Sequence, residues 1–177
     1  YQPDFGYLLD GMIYNEGQAI DASTLIQPKA EGEIAFIMKK DQMGPGISNA
    51  DVLAATECVM PCFEIVDSRI QDWKIKIQDT VADNASCGVF VLGDRLVDPR
   101  DVDLATCGMV LEKNGEIVAT GAGAAALGHP ANAVVDGDAI GAQRPVGFAY
   151  LQSAAFGDLL AARGCQIVQA PNEIFRK

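Results

Sequence analysis

Three glutamates occur inside segments whose other residues are typical of β-strands, and they restrict how the chain can fold. In EGEIAFIM, Glu31 and Glu33 begin a run in which branched and aromatic residues recur at near-alternating positions, the period of a strand. In CFEIVDSRI, Glu64 lies among residues that favour strands. An ionised carboxylate is costly to bury unless it is paired or bound to a cation, so the fold must provide one of these arrangements or place the side chains in water.

Two interpretations of the three glutamates are open from spacing alone. Because Glu31 and Glu33 are two residues apart, their side chains project from one face of a strand, and Glu64 from a neighbouring strand could complete a set of three oxygen ligands. Oxygen-only ligation selects Mg²⁺ or Mn²⁺ over zinc or copper. Alternatively, Glu31 and Glu33 lie on the solvent face of an amphipathic strand and Glu64 pairs with Arg69.

Charge and length narrow the classes of protein further. The chain has 177 residues, of which 49% are apolar, enough for one compact domain with a core. Its net charge of −11 makes nucleic acid and anionic membranes poor partners. No apolar run approaches the roughly 20 residues that a bilayer requires, and no secretory signal opens the chain, so we expect a soluble, cytoplasmic protein.

The cysteines predict buried, reduced thiols rather than a disulfide framework or a zinc site. There are five, an odd number, in apolar or small-residue surroundings. Cys58 and Cys62 could suggest a metal pair, but His129 is the only histidine of the chain and the usual soft ligands of zinc are too few.

The pattern along the chain predicts an α+β fold with a mixed or antiparallel sheet and flanking helices. Ser48 and Asp51 form a capping box that predicts a helix running to about Val59 and ended by Pro61. Strands are expected in CFEIVDSRI and in GVFVLG, with a short helix or loop between them.

Turn residues predict the remaining elements. Asn114 and Gly115 join two strand-like runs in a type I′ hairpin. A helix is expected to begin at Pro130, and a second to cover residues 150–163 and end at Gly164. The sequence GAGAAA, residues 121–126, fits a dinucleotide-binding fingerprint formally, but it follows a hairpin strand, so we interpret its small residues as allowing close packing.

Long segments of the chain resemble the hydratases and decarboxylases of bacterial meta-cleavage catabolism of aromatic compounds, within the fumarylacetoacetate hydrolase superfamily. The resemblance is carried by YQPDFGYLLDGMIYNEG, QPKAEGEIAFIMKKD, DVLAATECVMPCFEIVDSRIQDWKIKIQDTVADNASCGVFVLGD and CGMVLEKNGEIVATGAGAAALGHPANAV. It implies a sheet roll of the fumarylacetoacetate hydrolase type. It also implies that Glu31, Glu33 and Glu64 hold Mg²⁺ or Mn²⁺, which grips the carboxylate and the 2-oxygen of a substrate.

The resemblance also implies a reaction and further site residues. The expected reaction is hydration of 2-hydroxypenta-2,4-dienoate (2-oxopent-4-enoate) to 4-hydroxy-2-oxopentanoate. Asp4 is the candidate proton-transfer residue, and Asn84 and Ser86 are expected to bind the substrate by hydrogen bonds. The alternatives are decarboxylation of 4-oxalocrotonate, or a non-catalytic partner that assembles with that decarboxylase. We also expect the chain to form homo-oligomers.

The resemblance divides the chain in two. Residues 1–134 correspond to the catalytic core of the family without the region that precedes it there, including a lysine in a GKKIG-like segment. Residues 135–177 do not align with the family, which suggests a partial chain or a shifted reading frame near residue 134. A truncated, inactive fragment is therefore one of the expected outcomes.

Overall fold

Two sheets organise the chain in the computed structural model, which describes residues 6–42, 45–138, 146–150 and 165–166. In chain order, the elements are β1 (Ile13–Asn15), β2 (Lys29–Met38), α1 (Asn49–Ala55), β3 (Thr56–Val66), α2 (Ile77–Ala82), β4 (Cys87–Leu92), β5 (Gly108–Lys113), β6 (Glu116–Ala122), α3 (Pro130–Asp138), β7 (Val146–Tyr150) and β8 (Cys165–Gln166). Within the described residues, the larger sheet has the order β1-β4-β3-β2-β7 and the smaller the order β6-β5-β8.

The larger sheet is mixed, and the predicted α+β class is confirmed. Strands β1 and β4 are parallel, whereas the β4-β3, β3-β2 and β2-β7 pairs are antiparallel. The smaller sheet is antiparallel throughout its described part. No helix among the described residues is long and apolar enough to cross a bilayer.

One face of β2 and β3 forms the core. Ile34 and Phe36 pack with Val52 of α1 and with Ala131 and Val134 of α3. Nearer the other end of the sheet, a second cluster joins this face to the smaller sheet, with members Ala30, Phe63, Ile65 and Leu111. Because strand side chains alternate between faces, Glu31 and Glu33 project from the opposite face.

The predicted end of the first helix is wrong. Helix α1 ends at Ala55, and β3 starts at Thr56 and continues through Pro61. A proline is tolerated there because a residue in an antiparallel ladder directs its N–H and C=O to the same side. The Pro61 carbonyl accepts from Gly93 N at 2.9 Å, just beyond the end of β4, so the missing N–H lies where that ladder stops.

Three local predictions are confirmed, and one falls largely outside the described residues. Asn114 and Gly115 have φ of 55° and 84° and join β5 to β6 as a tight hairpin. The Ser48 cap is present, and α3 begins at Pro130. Of the helix expected over 150–163, Tyr150 is instead the last residue of β7, and residues 151–164 lie outside the described ranges.

The small residues after β6 allow a close backbone approach. A Cβ at Gly123 would lie 1.7 Å from the carbonyl oxygen of Leu104 and 3.2 Å from Pro130 Cγ. Residues larger than glycine therefore cannot occupy this position without moving the backbone, in agreement with the packing interpretation of GAGAAA.

Candidate metal centre

Pairing between β2 and β3 brings the three glutamates together. Glu31 is directly opposite Glu64 in the antiparallel register, and Glu33 is opposite Cys62, the residue two positions before Glu64. Directly opposite residues share a face, so all three carboxylates project from the same side of the sheet. One oxygen of each lies within 4.8 Å of the others, and no other group of metal-ligating side chains this compact occurs among the described residues.

Burial makes this cluster costly without a cation. Glu33 is 2% exposed, Glu64 is also buried and Glu31 is half-buried. Neither carboxylate oxygen of Glu33 has a hydrogen-bond partner within the described part of the chain. Burial, together with the charges of Glu64 and Glu31, raises the pKa of Glu33 well above its usual value. The solvent-face alternative is therefore wrong for Glu33.

Two thiols lie beside the carboxylates. Cys62 and Cys87 are buried, and burial raises the pKa of both, with the charge of Glu64 adding to the effect in each case. Cys87 is also hydrogen-bonded to Glu64. Because both thiols stay protonated, the ionisable donors of the site are carboxylates, a set that suits a hard cation such as Mg²⁺.

The remaining cysteines agree with the expectation of free thiols. Cys58, Cys62, Cys87 and Cys107 are unpaired, and the side chain of Cys165 lies outside the described part. Cys58 and Cys62 are four residues apart on β3, so about 13 Å of extended strand separates them and they do not form a metal pair.

Arg69 stabilises the turn before β4. Its Nε pairs with Asp83 Oδ1 at 3.0 Å, and its Nη1 donates to the carbonyl oxygen of Cys87 at 3.1 Å. Asp83 also accepts from Ser86 Oγ at 2.9 Å. The partner of this guanidinium is thus Asp83 rather than the Glu64 of the alternative interpretation.

The structure places Asn84 and Ser86 in a left-handed turn that leads into β4. Asn84, Ala85 and Ser86 have φ between 55° and 58°. The Asn84 side chain accepts from Tyr7 N at 2.6 Å and donates to the Tyr7 carbonyl at 3.0 Å, so it tethers the N-terminal segment. Binding of substrate by Asn84 and Ser86 stays a prediction, and Asp4 lies outside the described residues.

Sequence reasoning missed Lys29. This residue is two positions before Glu31 on β2, so it shares the face of the carboxylates, and its Nζ lies 4.0 Å from the centroid of the Trp73 ring. The alternation that groups Glu31 with Glu33 would also have included Lys29.

Comparison of the sequence with known families and proteins agrees with the geometry. Residues 11–140 match the model of the fumarylacetoacetate (FAA) hydrolase C-terminal family. The chain is 76% identical over 135 residues to a 2-hydroxypent-2,4-dienoate hydratase of Pseudomonas putida, covering 76% of this chain and 61% of that protein. It is 63% identical over 136 residues to a 2-hydroxyhexa-2,4-dienoate hydratase of Comamonas testosteroni, covering 76% of this chain and 52% of that protein. The chain thus spans about half to three-fifths of the length of these relatives.

Comparison with solved structures establishes the fold. The 4-oxalocrotonate decarboxylase from Pseudomonas putida G7, in its complex with magnesium and adipate, superposes with a TM-score of 0.73 at 37% identity. This match covers 83% of this chain and 61% of the decarboxylase. The same decarboxylase with calcium and acetate gives a TM-score of 0.69 at 38% identity and covers 85% and 62% of the two chains. Both structures contain a divalent cation.

Proposed function

The chain belongs to the fumarylacetoacetate hydrolase family, and on that premise we propose that it is the catalytic core of a metal-dependent hydratase of meta-cleavage aromatic catabolism. The proposed reaction adds water to 2-hydroxypenta-2,4-dienoate and yields 4-hydroxy-2-oxopentanoate. Two relatives, at 76% and 63% identity, are hydratases of 2-hydroxydienoates. The observation that carries the proposal is the buried Glu33 carboxylate, which has no partner in the described part of the chain and faces two further carboxylates.

We propose Mg²⁺ or Mn²⁺ as the cation that Glu31, Glu33 and Glu64 hold. The donor set supports this choice because all three ligands are carboxylates and the neighbouring thiols stay protonated. The unpartnered oxygens of Glu33 supply the site that a cation would satisfy. A bound divalent cation would act as a Lewis acid toward the carboxylate and 2-oxygen of the substrate, where negative charge develops during the reaction.

The chain's own residues would orient the ligands and keep water from them. Glu33 and Glu64 are held by the β2-β3 ladder, and the buried Phe90, opposite Glu64 on β4, projects from the same face. We propose Asp4 as the group that transfers a proton to or from the substrate, and Asn84 and Ser86 as hydrogen-bonding residues of the pocket. In the present arrangement the Asn84 amide is bonded to Tyr7, so a substrate contact would require it to share or exchange that partner.

Decarboxylation of 4-oxalocrotonate is the second candidate activity, favoured by the structural match to a decarboxylase that binds magnesium and adipate. The chain is 76% identical to the Pseudomonas putida hydratase and 37% identical to this decarboxylase, which supports hydration. A non-catalytic partner or an inactive fragment is the third candidate; the match covers 61% of the length of that hydratase.

Assays of both substrates with the 177-residue chain test the proposal. With Mg²⁺ or Mn²⁺ present, we expect loss of the dienoate and formation of 4-hydroxy-2-oxopentanoate, without release of carbon dioxide from 4-oxalocrotonate. Glu64→Gln should lower kcat/KM by about a hundred-fold or more, since removing one charge-stabilising group from an active site has at least this effect. Glu57→Gln is the matched control, because Glu57 is an exposed residue of the same strand. Carbon dioxide release without hydration would overturn the assignment in favour of the decarboxylase.

We propose further that residues 1–134 form the catalytic core and that 135–177 are a divergent tail. The proposed assembly is a homo-oligomer in the cytoplasm that associates with a 4-oxalocrotonate decarboxylase. Light scattering of the purified chain tests the first association, and co-purification with the decarboxylase tests the second. A monomer at micromolar concentration that does not co-purify would contradict both.

A further inference from the structure

We propose that Lys29 is an anion-binding residue of the metal centre and that its ammonium binds the carboxylate of a 2-oxo acid ligand. This inference rests on the proposed function, because it concerns the ligand of the same site. The ligand proposed for Lys29 is a small carboxylate whose oxygens also reach the cation held by the three glutamates. Oxalate, a dicarboxylate of this kind, is the probe.

The backbone places Lys29 at the end of the row of carboxylates. Lys29, Glu31 and Glu33 occupy alternate positions of β2, and no register shift interrupts the pairing with β3 over these residues. Their side chains therefore project from one face, with about 7 Å between successive Cα atoms. The flexible four-carbon stem of a lysine bridges such a spacing, so the Lys29 ammonium can reach a ligand lying beside Glu31.

Trp73 gives the ammonium a fixed support. The Lys29 Nζ lies 4.0 Å from the ring centroid, within the range of a cation–π contact. The Trp73 Nε1 donates to the Gln27 carbonyl at 2.9 Å, and the Gln27 amide Nε2 donates to the Ser68 carbonyl at 2.8 Å. Asp67 accepts from Gln27 N at 2.7 Å. These bonds hold the Trp73 ring beside the start of β2, where it contacts the Lys29 ammonium.

The ammonium of Lys29 has donors available for a ligand. In the described ranges, the Lys29 ammonium contacts the Trp73 ring and donates no hydrogen bond to an oxygen. Arg69, another cation near this face, uses its guanidinium on Asp83 and on the carbonyl oxygens of Asp67 and Cys87. Lys74 pairs with the carboxylate of Asp72 at 2.8 Å. The contact with the ring gives the three N–H donors of the ammonium no oxygen acceptor, so an incoming carboxylate can accept from one of them.

The Lys29 ammonium would offset the net charge of the site when an anionic ligand binds. Three ionised glutamates and one divalent cation sum to a charge of −1, so an anionic ligand approaches a site of its own sign. One ammonium beside the ligand offsets this charge, and in a partly buried site a charge-assisted hydrogen bond is stronger than in water. The expected effect of Lys29 is therefore on the affinity for the anion and not on the affinity for the metal.

Calorimetric titration of oxalate into the Mn²⁺-loaded 177-residue chain tests the inference. Lys29→Met keeps most of the stem and removes the charge, and it should weaken oxalate binding about ten-fold, as expected for loss of a hydrogen bond to a charged group. Mn²⁺ affinity, measured separately, should stay the same or increase, because a positive charge has been removed near the cation. Lys29→Arg should bind oxalate within about three-fold of the unmodified chain.

Lys74→Met is the matched control, because Lys74 adjoins Trp73 in sequence but is 76% exposed and paired with Asp72. It should leave oxalate affinity unchanged. Equal oxalate affinities of Lys29→Met and the unmodified chain would overturn the inference, as would a parallel loss of Mn²⁺ and oxalate binding. If Lys29→Met shows the expected loss but the chain hydrates no dienoate, the proposed function fails and the inference stands. If hydration occurs and Lys29→Met binds oxalate normally, only the inference fails.

Discussion

At the scale of single residues, Glu33 links the local sequence to the chemistry. Its two oxygens are buried without a hydrogen-bond partner among the described residues, beside Glu31 and Glu64. Such an arrangement lowers the stability of the metal-free chain, because both desolvation and like charges oppose ionisation. The same features favour a cation, since a divalent ion removes the repulsion and satisfies the oxygens.

The first prediction concerns replacement of this carboxylate. Glu33→Gln should raise the free energy of unfolding of the metal-free chain at neutral pH by about 1–3 kcal/mol, because a carboxyl whose ionisation is opposed by burial and by like charges is replaced by a neutral amide that can donate to Glu31 or Glu64. It should also weaken Mn²⁺ binding by about a hundred-fold or more. Loss of a group that only supports a metal ligand already weakens binding by up to about a hundred-fold, and Glu33 is proposed as a ligand itself. Urea unfolding and calorimetry measure the two quantities.

Glu57→Gln provides the comparison for this prediction, since Glu57 is exposed on β3. It should change neither the unfolding midpoint nor the Mn²⁺ affinity appreciably. Normal Mn²⁺ binding by Glu33→Gln would remove Glu33 from the ligand set.

At the scale of elements, the sequence predicts the start of helix α1 correctly because the capping residues can be identified there. The Ser48 hydroxyl accepts from Asp51 N at 3.3 Å, and Asp51 Oδ2 accepts from Ser48 N at 2.9 Å, which closes the capping box of α1. Nothing in these bonds sets the length of the helix. Its end at Ala55 follows from the pairing of Thr56 and the residues after it with β2.

The second prediction is the response of this cap to pH. Hydrogen bonds from the Ser48 side chain, then from its backbone N–H, lower the pKa of Asp51 below its usual value of 3.8. A depressed pKa in the folded state stabilises the fold above the unfolded pKa, and this contribution is lost as pH falls through the folded pKa. Ser48→Ala should raise the Asp51 pKa toward 3.8, measured by NMR titration of the carboxyl.

Asp103 serves as the internal reference in the same titration. Its pKa is lowered by hydrogen bonds with Thr106, away from the helix cap, and should not respond to Ser48→Ala. An unchanged Asp51 pKa would show that the hydroxyl does not contribute to the cap.

The third prediction concerns the junction of β6 with the segment before α3. Gly123→Ala places a Cβ within 1.7 Å of the Leu104 carbonyl oxygen, so backbone must move. We expect a loss of about 2 kcal/mol or more in the free energy of unfolding, measured by denaturant titration. Gly108→Ala is the control, because no atom lies within 4 Å of the Cβ it would add. Equal stability of the two variants would contradict the close approach.

At the scale of the whole molecule, the net charge of −11 and the acidic centre make cations stabilising ligands. The fourth prediction is that Mn²⁺ at about 100 times its Kd raises the free energy of unfolding by about 2.7 kcal/mol, seen as a higher Tm. Excess chelator should reverse the shift. Because salt also screens the repulsion of a charged chain, ionic strength is held constant, and Glu33→Gln should show almost no Tm shift. A shift of equal size in that variant would assign the stabilisation to screening.

Much of the fold and the composition of the carboxylate cluster could be predicted from sequence. Alternation placed Glu31 and Glu33 on one face of a strand, and the Asn114-Gly115 dipeptide identified the hairpin through its positive φ values. Strand-like surroundings made Glu64 a candidate third ligand, and the family resemblance implied the same set of three. Each of these depends on the conformational preferences of a few adjacent residues, or on a motif that can be recognised as written.

The tertiary structure alone decided which segments meet. The register puts Glu31 opposite Glu64, and Lys29 contacts Trp73, so both features join residues far apart in the chain. The burial of Glu33 and the continuation of β3 through Pro61 depend on such pairing. The conformational preference of a residue depends on its near neighbours in sequence, whereas burial and strand register are set by how whole faces pack. Packing of this kind keeps Pro61 inside β3, although the sequence around it predicted the end of a helix. For the same reason the sequence by itself shows which side chains share a face, and only the packed sheets determine which of those faces excludes water.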